Sequence, residues 1–366
     1  MIGILGGYGK VGLQTTKVLT EWGGCPLRIG GRNPEKAQLK FSSQFPAAEL
    51  VKVDIGDDDS LRNFIGGCEL IINCAGPSHR ITSRVAQMST SCECHHIDAG
   101  EGKQIKNTYG TSKKTAILYS AGAFPGLSGL LPRWLANSFE SVTNLTMYVG
   151  GLDRFTFSGA EDYLFGVFNE AKEPLAAWRE GACRPLSLKR SSGATLPFFL
   201  SVVELHPFYD AETEFVAKSL SLRNGEWYMA IDGEHMIAAL EGISGKFYTD
   251  PEDAIAQLCR ATELDTAGRQ TYLIYLVQLE GIQQGKSLTR TLVARAADSF
   301  ALTGSVAAVT GIALLAGELP INVGPIAEIP HPEKVIAGLS DVQVLTQFQV
   351  FDCSIKDLLQ TTEGKL

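Results

Sequence analysis

The sequence predicts an α/β protein, a doubly wound parallel sheet followed by a second, α+β sheet domain. Three observations carry this reading. A short apolar run, Ile2 to Leu5, stops at glycines and feeds a helical pattern. Short β-type runs then alternate with helical patterns to about residue 130, as the crossovers of a parallel sheet require. From Val142 several β runs follow one another with few helices between them, which suits a mixed or antiparallel sheet. At 366 residues the chain is too long for one ordinary core, and two domains are expected. The expected bounds are 1–130 and 131–319, with 320–366 returning to the first domain.

The first element sets the chemistry. Gly7-x-Gly9-x-x-Gly12 lies between the run Ile2 to Leu5 and a helix whose apolar side is Val11, Val18 and Leu19. Strand, glycine turn and helix in that order are the context of a dinucleotide fingerprint, and the domain is expected to be of the Rossmann type. Gly7 is expected to allow the tight turn, Gly9 to let a pyrophosphate approach the backbone, and Gly12 to let the helix pack on the strand. Amides at the helix N-terminus would then face the pyrophosphate.

Pro26 to Ile29 is the second strand, and it ends in Gly30-Gly31-Arg32-Asn33. NAD sites place Asp or Glu about 20 residues past the glycines, on the ribose 2′-hydroxyl. Arg32 stands there instead, with no acid before Glu35. A guanidinium binds a 2′-phosphate that a carboxylate would repel, so NADP(H) is the expected cofactor, with Asn33 and Lys36 assisting.

Glu49 to Asp54 is the third strand, and Asp54 at its end is a candidate for the adenine side of the crevice. Asp57, Asp58, Asp59 and Ser60 read as a helix start. Cys68 to Ala75 is the fourth strand, closed by Gly76-Pro77-Ser78-His79. His79 is a candidate acid, because imidazole titrates near neutrality. Cys92-Glu-Cys-His-His-Ile-Asp98 lacks a second ligand pair at zinc-like spacing, so a strand into Ala99-Gly100-Glu101 is expected and no metal. Ala116 to Tyr119 is the sixth strand, before the Gly/Pro turn of residues 120–129.

In the second domain Leu145 to Val149 is a strand, Ser158 to Trp178 a helix and Leu200 to Leu205 a strand. Leu220 to Ile231 reads as a hairpin around Asn224-Gly225. Gln270 to Leu279 and Ser287 to Ala294 are expected to pair. Ser299 to Gly317 has no charge but many small residues, and reads as a helix buried between domains rather than a membrane span. A terminal helix is expected around Asp357.

Hydrophobic residues make up 45% and charged residues 20%, as in soluble globular proteins. The net charge of −8, with no basic stretch, excludes nucleic acid as the main partner. A strand starting at residue 2 leaves no room for a targeting segment, so a cytoplasmic protein with its eight cysteines reduced is expected.

Four segments together resemble the saccharopine dehydrogenase-like reductases: Gly6-Gly-Tyr-Gly-Lys-Val-Gly12, Gly31-Arg32-Asn33, Asn73-Cys-Ala-Gly-Pro77 and His96-Ile-Asp-Ala-Gly-Glu101. The turn Ala123 to Ser128 and the late Ala/Gly helix are similar too. The resemblance covers the first 130 residues well and the rest loosely. It implies reduction of a C=N bond, or its reverse, in a protein that is often a homodimer. By position it implies that Tyr8, Gly9, Lys10 and Val11 hold the pyrophosphate and Arg32 the 2′-phosphate. Ala75, Gly76, Pro77 and Asp98 would lie along the nicotinamide side.

Phe124 departs from the pattern of members that use amino-acid substrates, which tend to carry an acid before this Pro-Gly. Arg154, Arg179, Arg184 and Arg190 are dispersed rather than paired for two carboxylates. Phe155, Phe157, Tyr163, Phe165 and Phe168 cluster after the domain switch, as core or as a wall for a flat substrate. This variant is similar to the thiazolinyl imine reductases of pyochelin-type siderophore assembly. Their substrate is a ring imine tethered to a carrier protein, which implies a nonribosomal peptide synthetase partner. Candidates for the proton donor are His79, Tyr163, Asp98 and Glu101. Two alternatives stand beside this reading: a saccharopine or carboxynorspermidine type of dehydrogenase, and a catalytically silent NADP sensor or assembly subunit.

Overall fold

A computed structural model describes residues 1–35, 41, 43–102, 105, 114–170 and 173–363 of the chain. Along the first part run β1 (Ile2–Leu5), α1 (Lys10–Trp22), β2 (Leu27–Gly31), β3 (Glu49–Lys52) and α2 (Asp58–Ile65). Next come β4 (Leu70–Asn73), α3 (Ser78–Ser91), β5 (His95–Asp98), β6 (Ile117–Tyr119) and α4 (Leu127–Ala136). The middle holds β7 (Ser141–Leu152), α5 (Phe157–Phe165), a π-turn (Gly166–Glu170), β8 (Ala177–Arg179), β9 (Ala182–Arg184), β10 (Ser191–Ala194) and β11 (Val203–Pro207). Then follow α6 (Ala211–Ser219), β12 (Asn224–Ile231), α7 (Glu234–Thr249), α8 (Pro251–Asp265), β13 (Tyr272–Gln283) and β14 (Lys286–Ala296). The last part is α9 (Ser299–Leu315), β15 (Val323–Pro325), α10 (Pro332–Asp341), β16 (Leu345–Phe351) and α11 (Ile355–Glu363).

The chain divides into two compact units, one of residues 1–127 and 300–344, the other of 128–299 and 345–366. The first contains a parallel seven-stranded sheet in the order β15-β6-β5-β4-β1-β2-β3. Sequence order reverses between β1 and β4, which is where such a sheet opens a crevice at its carboxyl ends. Strands β1 and β4 are buried along their whole length, as a sheet covered on both faces demands. One face packs Leu61, Phe64, Val85 and Met88 of α2 and α3 against Leu5 and Ile71.

The second unit is built on a nine-stranded mixed sheet in which long β7 lies between parallel β12 and antiparallel β13. The α/β fold with a second sheet domain is as expected, and β13 pairs with β14 as expected.

Three expectations are corrected. The Asn224-Gly225 pair is no hairpin turn but the start of β12, whose neighbours are β7, β11 and β8. The helix that was expected over Ser158 to Trp178 ends at the π-turn, and Trp178 belongs to β8. The domain bounds also move. Residues 300–319 belong to the first unit, because α9 packs on α1, and 345–366 belong to the second, because β16 pairs with β14. The small-residue stretch of α9 is there for close packing: a Cβ on Gly304 would lie 2.4 Å from the Val11 carbonyl oxygen. Among the described residues no helix is long and apolar enough to cross a membrane.

Candidate functional site

The turn between β1 and α1 is a cradle of backbone. Gly6, with φ +70°, supplies its left-handed residue, and a Cβ there would lie 2.6 Å from the Ala75 nitrogen. Gly7, expected in that role, is instead the buried residue whose N–H donates to the Gly30 carbonyl at 3.2 Å. The Gly9 N–H donates to Gly6 O at 2.9 Å, and the first helical bond runs from Leu13 N–H to Gly9 O at 2.9 Å. A Cβ on Gly12 would sit 2.4 Å from Gly6 O, so only glycine lets helix and turn approach this closely.

Helix α1 has no side-chain cap and no acid in its first turn. The amides of Lys10, Val11 and Gly12 have no partner within the helix and carry the positive end of its dipole. An exposed, acid-free helix start beside a glycine turn fits a diphosphate. Lys10 is exposed and holds its ammonium 4.4 Å from the centre of the Phe300 ring.

The other predicted residues follow the sheet order. Arg32 and Asn33 are exposed just beyond β2, and among the described residues no partner of Arg32 is found. Tyr8 is half-buried beside them, with its hydroxyl donating to Ile29 O at 3.2 Å and its ring edge-on to Phe41 at 5.3 Å. Burial pushes its phenol up to about 12. Lys36 lies outside the described residues. Asp54 is exposed beyond β3, where its Oδ1 accepts from the Gly56 N–H at 2.9 Å and orders the turn into α2.

On the other side of β1, Ala75, Gly76 and Pro77 form the turn from β4 into α3, and His79 sits half-buried in the first turn of α3. Arg80 Nε donates to His79 Nε2 at 3.4 Å. Asp98 closes β5. Its Oδ2 accepts from Asn73 Nδ2 at 2.7 Å and its Oδ1 from the Gly100 N–H at 2.8 Å, with the residue fully buried. Both oxygens are thus engaged in ordering the turns after β4 and β5. Glu101 is half-buried three residues further on, and its charge, with that of Glu328, adds to the burial that pushes Tyr119 up to about 12. Phe124, on the turn after β6, is 37% exposed.

Residues from five successive strand ends thus share one edge of the first sheet, in the order β2, β1, β4, β5, β6. Phe155, Phe157 and Tyr163 belong to the second unit. Phe155 and Tyr163 pack together at 5.1 Å against the core of α5, α7 and α8, while Phe157 is exposed. Burial pushes the Tyr163 phenol up to about 12. Its ring is part of that packing. Arg154 donates to Thr266 Oγ1 at 2.8 Å and Arg179 pairs with Glu226, so these arginines serve the fold.

Two groups in the second unit carry no signal in the sequence. Arg295 stands 5.0 Å from the ring centre of Tyr272, whose hydroxyl donates to the buried Asp232 at 2.5 Å, and Arg269 donates to the same carboxylate at 2.7 Å. His235 points Nδ1 at the buried Asp265, 2.8 Å away. Partners 23 to 40 positions apart leave no local pattern to read. Among the described residues no three His, Cys, Asp or Glu side chains converge on a metal position.

Residues 6–108 match the family model described as NAD(P)H-binding. No protein of curated function matches the sequence. Among solved structures, apo saccharopine dehydrogenase (L-Glu forming) from Saccharomyces cerevisiae is similar over 96% of this chain and 99% of that chain, with a TM-score of 0.69 and 12% identity. Citrobacter sp. triphenylmethane reductase complexed with NADP(H) is similar over 27% of this chain and 36% of that chain, with a TM-score of 0.24 and 20% identity. The chain therefore carries an NAD(P)H-binding domain, and its overall fold is the one seen in saccharopine dehydrogenase.

Proposed function

We propose that the protein is an NADPH-dependent oxidoreductase that reduces a C=N bond, and that its substrate is the thiazoline ring imine of a carrier-bound siderophore intermediate. The single observation that carries the cofactor choice is Arg32, an exposed guanidinium where NAD-specific sites hold a carboxylate. Likeness in fold to a saccharopine dehydrogenase over nearly the whole chain supports the C=N reading.

When bound, the cofactor supplies hydride to the imine carbon. The chain's share is positioning and a proton. Amides 10–12 hold the diphosphate, Arg32 takes the 2′-phosphate, and the turns after β4 and β5 shape the nicotinamide side. His79, beside the first of these turns, holds the proton for the imine nitrogen, since a protonated imine is the better electrophile. Phe124 offers an aromatic surface where amino-acid-using relatives carry an acid. A nonribosomal peptide synthetase carrier domain as partner, a homodimer and a cytoplasmic location complete the reading.

A second reading, an amino-acid imine as substrate, is favoured by Arg295. It is half-buried, and among the described residues no carboxylate pairs with it. Following NADPH absorbance with a thiazoline intermediate and, separately, with lysine-derived imines tests the choice. Oxidation with the thiazoline alone is expected. Oxidation with the amino-acid imines alone transfers the assignment to the second reading. NADPH binding without turnover of either identifies a silent sensor.

A further inference from the structure

We propose that Asn73 and Asp98 form a positioning pair that fixes the two turns receiving the nicotinamide half of the cofactor, an inference that rests on the cofactor reading above. The two residues close adjacent strands and face each other in register. Both are fully buried. Asn73 Nδ2 donates to Asp98 Oδ2 at 2.7 Å. Each residue then uses its remaining oxygen on its own turn. Asn73 Oδ1 accepts from the Ala75 N–H at 3.2 Å, and Asp98 Oδ1 accepts from the Gly100 N–H at 2.8 Å. The pair thus grips one backbone amide in each of two neighbouring turns.

The grip extends to both sides. The Ala75 backbone lies against Gly6, so the first turn is packed on the diphosphate cradle. Gly100 lies against Ser78, the first residue of α3, so the second turn is packed on the helix that carries His79. His96, two residues before Asp98 on the same strand face, is fully buried with Nε2 3.5 Å from Asp98 Oδ2.

Stability alone does not call for this arrangement. The neighbouring strand positions Ile71, Ile72 and Ile97 are apolar, and a well-packed aliphatic pair would avoid the desolvation of a carboxylate. What an aliphatic pair cannot do is hold the two amides at fixed positions. The pair acts by positioning: it sets the backbone of the two turns.

The donor and acceptor roles are symmetric, which makes an exchange experiment decisive. Asn73→Asp places two carboxylates face to face, and Asp98→Asn places two amides face to face. The double exchange Asn73→Asp/Asp98→Asn restores all three hydrogen bonds with one donor and one acceptor interchanged. Affinities of the purified wild-type and variant proteins are measured for NADPH and for adenosine 2′,5′-bisphosphate, which lacks the nicotinamide half.

We expect each single exchange to weaken NADPH about tenfold or more while leaving the bisphosphate unchanged, and the double exchange to recover NADPH to within about threefold of wild type. Single variants that bind NADPH as wild type does, or that lose both ligands equally, overturn the proposal. So does a double variant that binds the bisphosphate normally but NADPH no better than the singles. Should a single variant fail to fold, the double alone decides: wild-type affinity for both ligands supports the pair, and misfolding or a selective loss of NADPH overturns it. Wild-type protein that binds neither ligand overturns the cofactor reading, and the pair's role with it.

Discussion

Thr15 shares its one hydroxyl proton between the carbonyls of Val11, at 3.1 Å, and Gly304, at 3.0 Å. One bond is local and the other spans 289 positions. Beside it, Gln14 Nε2 donates to Ser305 Oγ at 3.0 Å. The late small-residue helix is therefore part of the NAD(P)H-binding unit, clamped to the helix whose first turn is proposed to receive the diphosphate.

Gly304→Val tests that clamp. Its side chain would have to displace the Val11 carbonyl, and overpacking of this kind costs about 1–3 kcal/mol. We expect a lower thermal midpoint and weaker NADPH binding together, because Val11 belongs to the amide cradle. Unchanged melting and unchanged affinity would contradict the close approach.

On the proposed reading, Arg32 decides between the two nicotinamide cofactors. Removing a charge-assisted hydrogen bond to phosphate costs about 1.5–3 kcal/mol, roughly a 10- to 100-fold loss. Arg32→Ala should raise the NADPH dissociation constant by that factor and leave NADH nearly unchanged. Arg32→Glu should favour NADH. Equal losses for both cofactors would show that Arg32 is not at the 2′-phosphate.

Much of the first domain was legible because its signals are local: a run of apolar residues, a glycine turn, a helix face. The cradle, Arg32 and the turns after β4 and β5 all stand on one sheet edge, as the motif spacing implied. Asn73 stands in the sequence as the end of a strand and the start of the Asn73-Cys-Ala-Gly-Pro77 segment, and nothing local says that its amide meets Asp98, 25 positions on. Asn224-Gly225 is a strong local turn signal, yet the parallel register with β7 overrides it. Helix α9 is apolar on every side, so its pattern names no partner, and only the fit of Gly304 on Val11 does.

His79→Gln separates proton supply from cofactor binding. It keeps a polar side chain at the start of α3 and removes the imidazole. Turnover should fall about 100-fold, the lower end of general acid catalysis, with NADPH affinity within about twofold. Unchanged turnover with imine substrates would remove His79 from the mechanism.

Alkaline titration reads the tyrosines. Burial raises Tyr8 and Tyr163 from 10.0 to about 12, and burial with neighbouring glutamates does the same to Tyr119. The unfolded chain loses these protons first, so their contribution is full below pH 10 and is lost as pH rises towards about 12. Tyrosinate absorbance should lag behind that of the unfolded protein until unfolding begins. Ionisation of most tyrosines near pH 10 in a still-folded protein would contradict their burial.

C=N reduction is read by following the hydride itself. NADPH deuterated at C4, on either face, is incubated with the protein and the carrier-bound thiazoline intermediate, and the product is read by mass spectrometry. The expected product is a thiazolidine carrying one deuterium at the former imine carbon, from one of the two labelled faces only. Tight NADPH binding with no deuterium transferred to this or to any amino-acid imine would contradict it.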